Sequence, residues 1–306
     1  MIVFGRGFLK NSSFIIQLLF CVVIVFFGLT LGQLLFLGFT YLKSGFSTEE
    51  VNTVLDHLSK NANLMRASLL FQTVFGFFVP SMYLAYLYSD DANTYLHTEQ
   101  PVSGWAIFLT VLSMLFVIPL INAMVFWTKE IPVPEFLQEF EQQIIALEDK
   151  AAGMFKSILE TENYWHFIMN LIIIAVITAV GEEFLFRGIL QNVFSKIFKN
   201  HHVIIWVVGF IFSFVHFQFY GFFARAFLGI YFGYLLYYSK SIWVPVIAHF
   251  TNNSISVIFY YSVREPEYQE KMDLLGTGQT YWVAIVSAVL FVITVWILKR
   301  KLKVES

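Results

Sequence analysis

The sequence has 306 residues and a formal net charge of −2, and it is 58% hydrophobic, 19% aromatic and 13% charged. Soluble domains carry roughly 25% charged residues, and 36 Phe side chains are more than one globular core could bury. A bilayer accommodates them because lipid-facing surface needs no polar residues. The near-neutral charge gives no reason to expect a nucleic-acid partner. The single cysteine, Cys21, lies in an apolar run and excludes disulfides and thiolate metal sites.

Eight apolar runs approach or exceed the roughly 20 residues that a membrane-spanning helix needs. In chain order they are Phe14–Leu42, Leu64–Tyr88, Trp105–Trp127, Phe167–Phe198, Val203–Phe219, Phe222–Tyr238, Ile242–Ser262 and Tyr281–Leu298. The first is about twice the length of a signal-peptide apolar region, so we expect a retained span. The fourth is too long for one straight crossing, so it should tilt or continue past the membrane. The predicted fold class is all-α: a polytopic integral membrane bundle with about eight transmembrane helices.

Two polar segments, Ser44–Asn63 and Lys129–Asn163, interrupt the spans. The second shows apolar residues at helical spacing among acidic ones, which indicates an acidic amphipathic helix. We expect this helix to pack on the bundle, with a gate over the functional site as the alternative. The chain therefore divides into residues 1–165, a three-span region with the polar insert and the acidic helix, and residues 166–306, a five-span core.

Lys and Arg near span ends mark the cytoplasmic side of a membrane protein. Both ends of this chain are basic, and an even number of spans places both on one side. The strongest cluster follows the last span: Lys299, Arg300, Lys301 and Lys303. The opposite side carries Lys129, Lys150 and Lys156, which weaken the difference in basic charge between the two sides. We expect both termini in the cytoplasm and the protein in a bacterial inner membrane.

Polar residues inside the apolar helices indicate where the chemistry lies. Glu182 and Glu183 follow an unbroken apolar run, and each carboxylate costs about 2.5–3.5 kcal/mol at membrane depth on insertion scales. Glu183 and Arg187 are four residues apart, so they share a helix face and can form an ion pair. Glu182 points about 100° away and lacks that partner. A structural ion pair thus accounts for Glu183 but leaves Glu182 unexplained.

Two further polar sites lie in later apolar runs. His216 lies late in the fifth run, and His249 and Asn253 stand four apart near the start of the seventh. A lone membrane histidine is usually a satisfied hydrogen bond between helices. At about 1.5 Å per residue, Glu182, His216 and His249 reach similar depths in the cytoplasmic half to the middle of the bilayer. We therefore expect one shared cavity, open to the cytoplasm or laterally to lipid.

Such a set of side chains suits hydrolysis. A carboxylate in a dry pocket can take a proton from water, and histidine or amide groups can stabilise an oxyanion. Glu182, His216 and His249 are also an acceptable Zn²⁺ ligand set. A metal-bound water and a water held by protein groups both remain open at this point.

Three motifs in this order resemble the signature of one family. They are Glu182-Glu183-x-x-x-Arg187, Phe212-x-x-x-His216 and His249-x-x-x-Asn253, and Trp243-x-Pro245 precedes the third. Together they resemble the CPBP family of CAAX-processing and bacteriocin-processing intramembrane proteases (the Abi family), which includes the type II CAAX prenyl endopeptidases. The resemblance covers about Leu171 to Ser254.

The resemblance implies a role for each motif residue. Glu182 would activate water together with His216, while His249 and Asn253 would stabilise the tetrahedral oxyanion. Glu183 and Arg187 would support the geometry. Members are often labelled metalloproteases, and a metal-free, glutamate-activated water is the competing mechanism. The implied partner is a membrane-associated protein or peptide substrate, prenylated or not.

Two other classes of function compete with an endopeptidase. Intramembrane Glu and His could relay protons in a coupled transporter, although the sequence has no internal repeat of the kind that transporters show. A non-catalytic scaffold or immunity protein could also use the same fold. Motifs of zincins and of serine or aspartyl intramembrane proteases do not occur in the sequence.

Overall fold

A computed structural model describes residues 5–44 and 61–305, and these residues form helices and connecting turns without a strand. The helices are α1 (Phe14–Ser44), α2 (Ala62–Tyr88), α3 (Ala92–Leu96), α4 (Gly104–Lys129), α5 (Gln138–Leu159), α6 (Tyr164–Phe194), α7 (His201–Phe214), α8 (Phe222–Ser239), α9 (Trp243–Ser262), α10 (Pro266–Asp273) and α11 (Tyr281–Glu305). The predicted all-α fold class is confirmed.

Five helices (α1, α2, α4, α6 and α11) are long and apolar enough to cross a membrane. The protein is therefore a multi-pass helical membrane protein. The remaining three predicted spans correspond to α7, α8 and α9. Helix α7 has only 14 residues, and α9 carries His249 and the polar run from Thr251 to Ser254.

The fifth predicted span is wrong at its end. Helix α7 stops at Phe214 and not at Phe219. The amide N–H groups of His216 and Phe217 turn back to carbonyls three residues earlier, and Phe217 has a φ of 50°, in the left-handed region. A left-handed residue ends an α-helix. His216 thus lies in a turn after the helix, not within an apolar span.

The structure describes one of the two predicted polar segments but almost none of the other. The insert Ser44–Asn63 lies almost entirely outside the described residues. The acidic amphipathic helix is present as α5, after a 3₁₀ turn at Glu135–Leu137. Its carboxyl end is anchored because Arg66 and Asn170 both donate to the Ile158 carbonyl, at 2.7 and 2.8 Å. Most side chains of its first half are exposed.

The bundle has two ends, which we call the terminal face and the distal face. The terminal face holds residues 5–13, segment 89–103 and the carboxyl end of α11. There Leu9 N–H donates to the Leu87 carbonyl, and Lys196 donates to the Ser12 carbonyl. The distal face holds the end of α4, helices α5 and α10, and the end of α9. There Arg264 pairs with Glu162 at 2.9 Å.

Helix α6 is continuous over 31 residues but contains two π-helical segments, Leu171–Ile177 and Phe184–Leu190. Glu182 and Glu183 lie on the short α-helical stretch between them. Single-turn π segments inside α-helices occur frequently at functional sites. The local widening of this helix therefore points to the same residues as the sequence motifs.

Helices α7 and α8 approach each other closely through two glycines. A Cβ atom at Gly209 would lie 2.9 Å from the Ile230 backbone nitrogen, and one at Gly229 would lie 3.0 Å from the Gly209 carbonyl oxygen. Only a residue without Cβ allows this spacing. The contact fixes the turn that carries His216 against the rest of the bundle.

Candidate active site

Glu183 is the centre of a buried network. Arg187 Nη1 donates to Glu183 Oε1 at 3.0 Å, and neither side chain is exposed. Arg187 Nη2 donates to the Gly229 carbonyl of α8 at 2.8 Å. The ion pair that the spacing of four predicts is thus present, and its charge is balanced where an unpaired carboxylate would be costly.

His249 is attached to the same carboxylate from α9. Its Nδ1 donates to Glu183 Oε1 at 2.8 Å. The imidazole stacks on Phe232 of α8, with ring centroids 5.3 Å apart, and meets the ring of Phe212 edge-on at 5.9 Å. A carboxylate and two aromatic rings therefore fix the orientation of His249. Its Nε2 is directed away from Glu183.

His216 is oriented by the backbone of its own turn. Its Nδ1 lies 2.7 Å from the Phe212 carbonyl oxygen. A carbonyl oxygen only accepts, so Nδ1 carries the proton and Nε2 of the neutral ring is an acceptor. The same argument applies to His249, because Glu183 accepts from its Nδ1. Both histidines therefore present an Nε2 lone pair.

The two Nε2 atoms converge on Glu182. Glu182 Oε2 lies 3.9 Å from His216 Nε2 and 3.9 Å from His249 Nε2. This oxygen is buried and accepts no hydrogen bond from the described residues. Three acceptors facing one point need a donor between them, and a water molecule has two donor hydrogens and a nucleophilic oxygen. The structure thus brings together Glu182, His216 and His249, as the sequence predicts.

The fit of Zn²⁺ to these residues can be tested by distance. Bonds of 2.0–2.1 Å to a tetrahedral Zn²⁺ place neighbouring ligand atoms about 3.4 Å apart. The 3.9 Å separations at Glu182 are wider, and no set of three His, Cys, Asp or Glu in the described part of the chain forms a metal site. The residues as placed are spaced too widely for tetrahedral Zn²⁺, so the proposed reaction uses only protein groups and water.

Asn253 is the predicted site residue that makes no hydrogen bond to Glu182, His216 or His249 within the described residues. Its Nδ2 donates to the Ile174 carbonyl at 3.0 Å, about two turns before Glu182 on α6. In this π segment the Thr178 N–H bonds to the carbonyls of Ile173 and Ala175 and passes over Ile174. Asn253 donates to the Ile174 carbonyl in place of the Thr178 N–H. In this arrangement Asn253 therefore bonds to α6, and its placement in the cavity beside His249 stays a prediction.

Sequence reasoning missed the roles of four groups at the site. The Gly229 carbonyl and the rings of Phe212 and Phe232 carry no chemical signature of their own in an apolar run. Arg225 did carry one, because a cation inside an apolar run is costly. Arg225 donates to Gln218 in the turn after His216, and it is close enough to interact electrostatically with both Glu182 and His216.

A polar cavity of about 480 Å³ lies beside this turn. Its walls are the end of α4, helix α5, the turn after His216 and the start of α8, with Lys129, Glu148, Asp149, Gln218 and Arg225 among its lining residues. Glu148 of α5 accepts from the backbone N–H groups of Phe219 and Tyr220. The Tyr220 hydroxyl donates to Glu141 at 3.1 Å. The acidic helix thus holds the turn that positions His216.

Comparison with known families gives one match. Residues 164–255 match the family described as Rce1-like, type II CAAX prenyl endopeptidase. Comparison with curated proteins and with solved structures found no match. The matched segment contains all three motifs, and the family resemblance stated from those motifs is confirmed. At the family level the match supports an intramembrane protease of the CAAX type.

Proposed function

Because residues 164–255 form an Rce1-like domain, we propose that this protein is an intramembrane endopeptidase that hydrolyses peptide bonds with a water activated by Glu182. The observation that carries the proposal is the convergence of His216 Nε2 and His249 Nε2 on Glu182 Oε2, each at 3.9 Å. Each group is costly at membrane depth. A water bound between them donates to two of the three acceptors and keeps its oxygen free for attack on a peptide carbonyl.

The proposed reaction begins with a water held between Glu182 and His216. Glu182 takes a proton from this water as its oxygen bonds to the peptide carbonyl carbon. A general base of this kind contributes typically 10²–10⁴-fold to the rate. Glu182 then gives the proton to the peptide nitrogen as the carbon–nitrogen bond breaks. The products are a carboxylic acid and an amine, and the carboxylate of Glu182 is restored.

His249 is proposed to stabilise the oxyanion of the tetrahedral intermediate. When Nε2 takes up a second proton from solvent it can donate to the oxyanion, and the Glu183 carboxylate bonded to Nδ1 balances the charge on the ring. A carboxylate plays the same role behind the histidine of the serine-protease triad. Arg187 and the Gly229 carbonyl hold Glu183 in place. Asn253 uses one of its two amide N–H donors on the Ile174 carbonyl, and we assign it a positioning role.

The proposal is tested with purified protein in lipid nanodiscs and a defined mixture of synthetic peptides, with and without a prenylated cysteine. Product masses report cleavage and also whether a prenyl group is required. Glu182→Gln should abolish cleavage at unchanged thermal stability, whereas the exposed Glu265→Gln should cleave like wild type. Wild type should keep its activity in the presence of a metal chelator. Cleavage by the Glu182→Gln variant would refute the role of Glu182 as general base. A cellular phenotype that persists in this variant would favour the non-catalytic scaffold.

A further inference from the structure

An apolar groove of about 450 Å³ lies between α7, α8 and α11. Helix α8 contributes aromatic side chains at helical spacing, among them Phe227, Tyr231 and Tyr238. Gly229 and Phe232, which contact the catalytic network, lie on the opposite side of this helix. The groove is therefore separate from the candidate active site.

The tyrosines in the wall of the groove bond through their hydroxyl groups to other partners. The Tyr231 hydroxyl is hydrogen bonded to Ser113 Oγ of α4 at 2.6 Å, and the Tyr234 hydroxyl lies 2.8 Å from His202 Nδ1. Aromatic rings and aliphatic side chains therefore form most of the groove. Trp206, which also lines it, is 49% exposed, so a flexible apolar chain can enter from the side.

The groove has the length of one lipid leaflet. Its lining extends from Phe227 to Tyr238 on α8 and from Phe291 to Leu302 on α11. At about 1.5 Å per residue, each of these stretches is roughly 16 Å long. Half of a hydrocarbon core of about 30 Å is about 15 Å. The groove thus matches one acyl chain of the leaflet at the terminal face.

Two lysines lie at the terminal end of the groove. Lys299 Nζ is 4.7 Å from the centre of the Tyr238 ring, and Lys240 Nζ is 4.6 Å from the centre of the Tyr237 ring. The centres of the two tyrosine rings are 5.1 Å apart. Neither ammonium group pairs with a carboxylate in the described part of the chain. An anion at this end of the groove therefore meets two positive charges that no described carboxylate balances.

A second cavity, which we call the terminal cavity, adjoins the groove at this end. It has a volume of about 490 Å³ and lies between the starts of α4 and α9 and the ends of α8 and α11. Gln100, Ser239 and Lys240 supply polar groups to its walls. Leu302 lines both the groove and the terminal cavity. Basic pockets between transmembrane helices bind the head groups of anionic phospholipids.

We propose that the groove and the terminal cavity bind one anionic phospholipid. One acyl chain occupies the groove, the phosphate lies near Lys299 and Lys240, and the rest of the head group is directed toward the terminal cavity. Ordinary bilayer lipid along the spans would need neither lysine. The site is separate from the catalytic cluster, so this inference does not rest on the proposed endopeptidase function.

Native mass spectrometry of the purified protein in detergent tests this proposal. The protein is titrated with phosphatidylglycerol, with phosphatidylcholine of the same acyl chains, and with inorganic phosphate alone. Val295→Phe places a ring in the groove, and Val292→Phe is its matched control, because Val292 is 63% exposed on the same helix. Lys299→Gln removes a charge at the groove, and Lys301→Gln removes an exposed charge that lines neither cavity.

We expect wild type to bind one phosphatidylglycerol at least about fivefold more tightly than phosphatidylcholine, and Lys299→Gln to lose about fivefold in phosphatidylglycerol affinity. Val295→Phe should weaken the binding of either lipid, and both controls should bind like wild type. Phosphatidylglycerol should also raise the unfolding temperature of wild type, because a ligand of the folded state stabilises it.

Three outcomes would overturn the proposal. Equal affinity of wild type for the two lipids would show ordinary bilayer lipid only, and binding of inorganic phosphate alone would show an anion site without a lipid. An equal effect of Lys299→Gln and Lys301→Gln would show diffuse surface charge instead of a site. If Val295→Phe does not fold, the comparison of the two lysine variants decides, because Lys299 is only partly buried and forms no described ion pair.

Discussion

The buried ion pair between Glu183 and Arg187 is the residue-scale feature on which the site depends. Arg187 bonds to both Glu183 and the Gly229 carbonyl, so Arg187→Ala strands a buried carboxylate and a buried carbonyl. Breaking a buried pair by removing one partner costs roughly 3–5 kcal/mol. We expect a lower unfolding temperature and little cleavage.

Arg264→Ala is the matched control for this prediction. Arg264 also pairs with a glutamate at 2.9 Å, but its side chain is 50% exposed. An exposed pair contributes about 0–1 kcal/mol, so this variant should unfold and cleave like wild type. An Arg187→Ala protein as stable as Arg264→Ala would contradict the assignment of the network.

Substitution of Asn253 distinguishes a positioning role from a catalytic role for its side chain. Its amide accounts for the Ile174 carbonyl in the π segment of α6, and a buried acceptor left unsatisfied costs about 1–3 kcal/mol. Asn253→Ala should therefore lower stability, and the remaining folded protein should lose less kcat than Glu182→Gln does. Thermal unfolding and steady-state kinetics of the two variants give the comparison. A stable Asn253→Ala with kcat as low as that of Glu182→Gln would place the amide at the oxyanion.

At the scale of single helices, the sequence predicts much of what the structure contains. Helical periodicity places Glu183 on the same face as Arg187, since that relation is local. It does not predict the hydrogen bond from His249 to the Glu183 carboxylate, 66 residues away in the sequence. This contact depends on the packing of α9. The π segments and the early end of α7 cannot be predicted from the sequence either, because both arise from backbone shifts that tertiary contacts stabilise. The hydrogen bond from Asn253 to the Ile174 carbonyl follows from such a shift.

The close contact of α7 and α8 yields an element-scale prediction. Gly209→Ala places a methyl group 2.9 Å from the Ile230 nitrogen, so the two helices must separate by a few tenths of an ångström. Overpacking of this kind costs about 1–3 kcal/mol and moves His216 away from Glu182. Stability and cleavage should both fall.

Gly104→Ala is the control, because a Cβ atom at Gly104 meets nothing within 4 Å in the described structure. It should leave cleavage unchanged. Equal activity of the two glycine variants would show that the spacing of α7 and α8 does not position His216.

Helix α5 acts on the site through Glu148. Glu148→Ala removes the acceptor for the backbone N–H groups of Phe219 and Tyr220, so the turn that carries His216 is held less firmly. We expect kcat to fall several-fold while the unfolding temperature changes little, because the turn is exposed. Glu139→Ala removes an exposed carboxylate from the same helix and should change neither value. A fall in stability with unchanged kcat would instead make α5 a purely structural cover.

At the scale of the whole molecule, the bundle places a polar cluster between its terminal face and its distal face. Composition and apolar runs predict the multi-pass helical class, because lipid selects for apolar surface along every span. They do not predict how segment 89–103 packs, since this polar loop is held by contacts to α6 and to the start of α9. The placement of this segment is therefore a property of the assembled fold.

The central claim is that Glu182 activates a water for peptide hydrolysis. The most direct measurement is cleavage in heavy-oxygen water by purified protein, followed by mass analysis of both products. Wild type should place solvent oxygen in the new carboxylate and none in the amine product, and Glu182→Gln should form neither product above background. Unchanged cleavage by Glu182→Gln, or no cleavage of any peptide by folded wild type, would contradict the account.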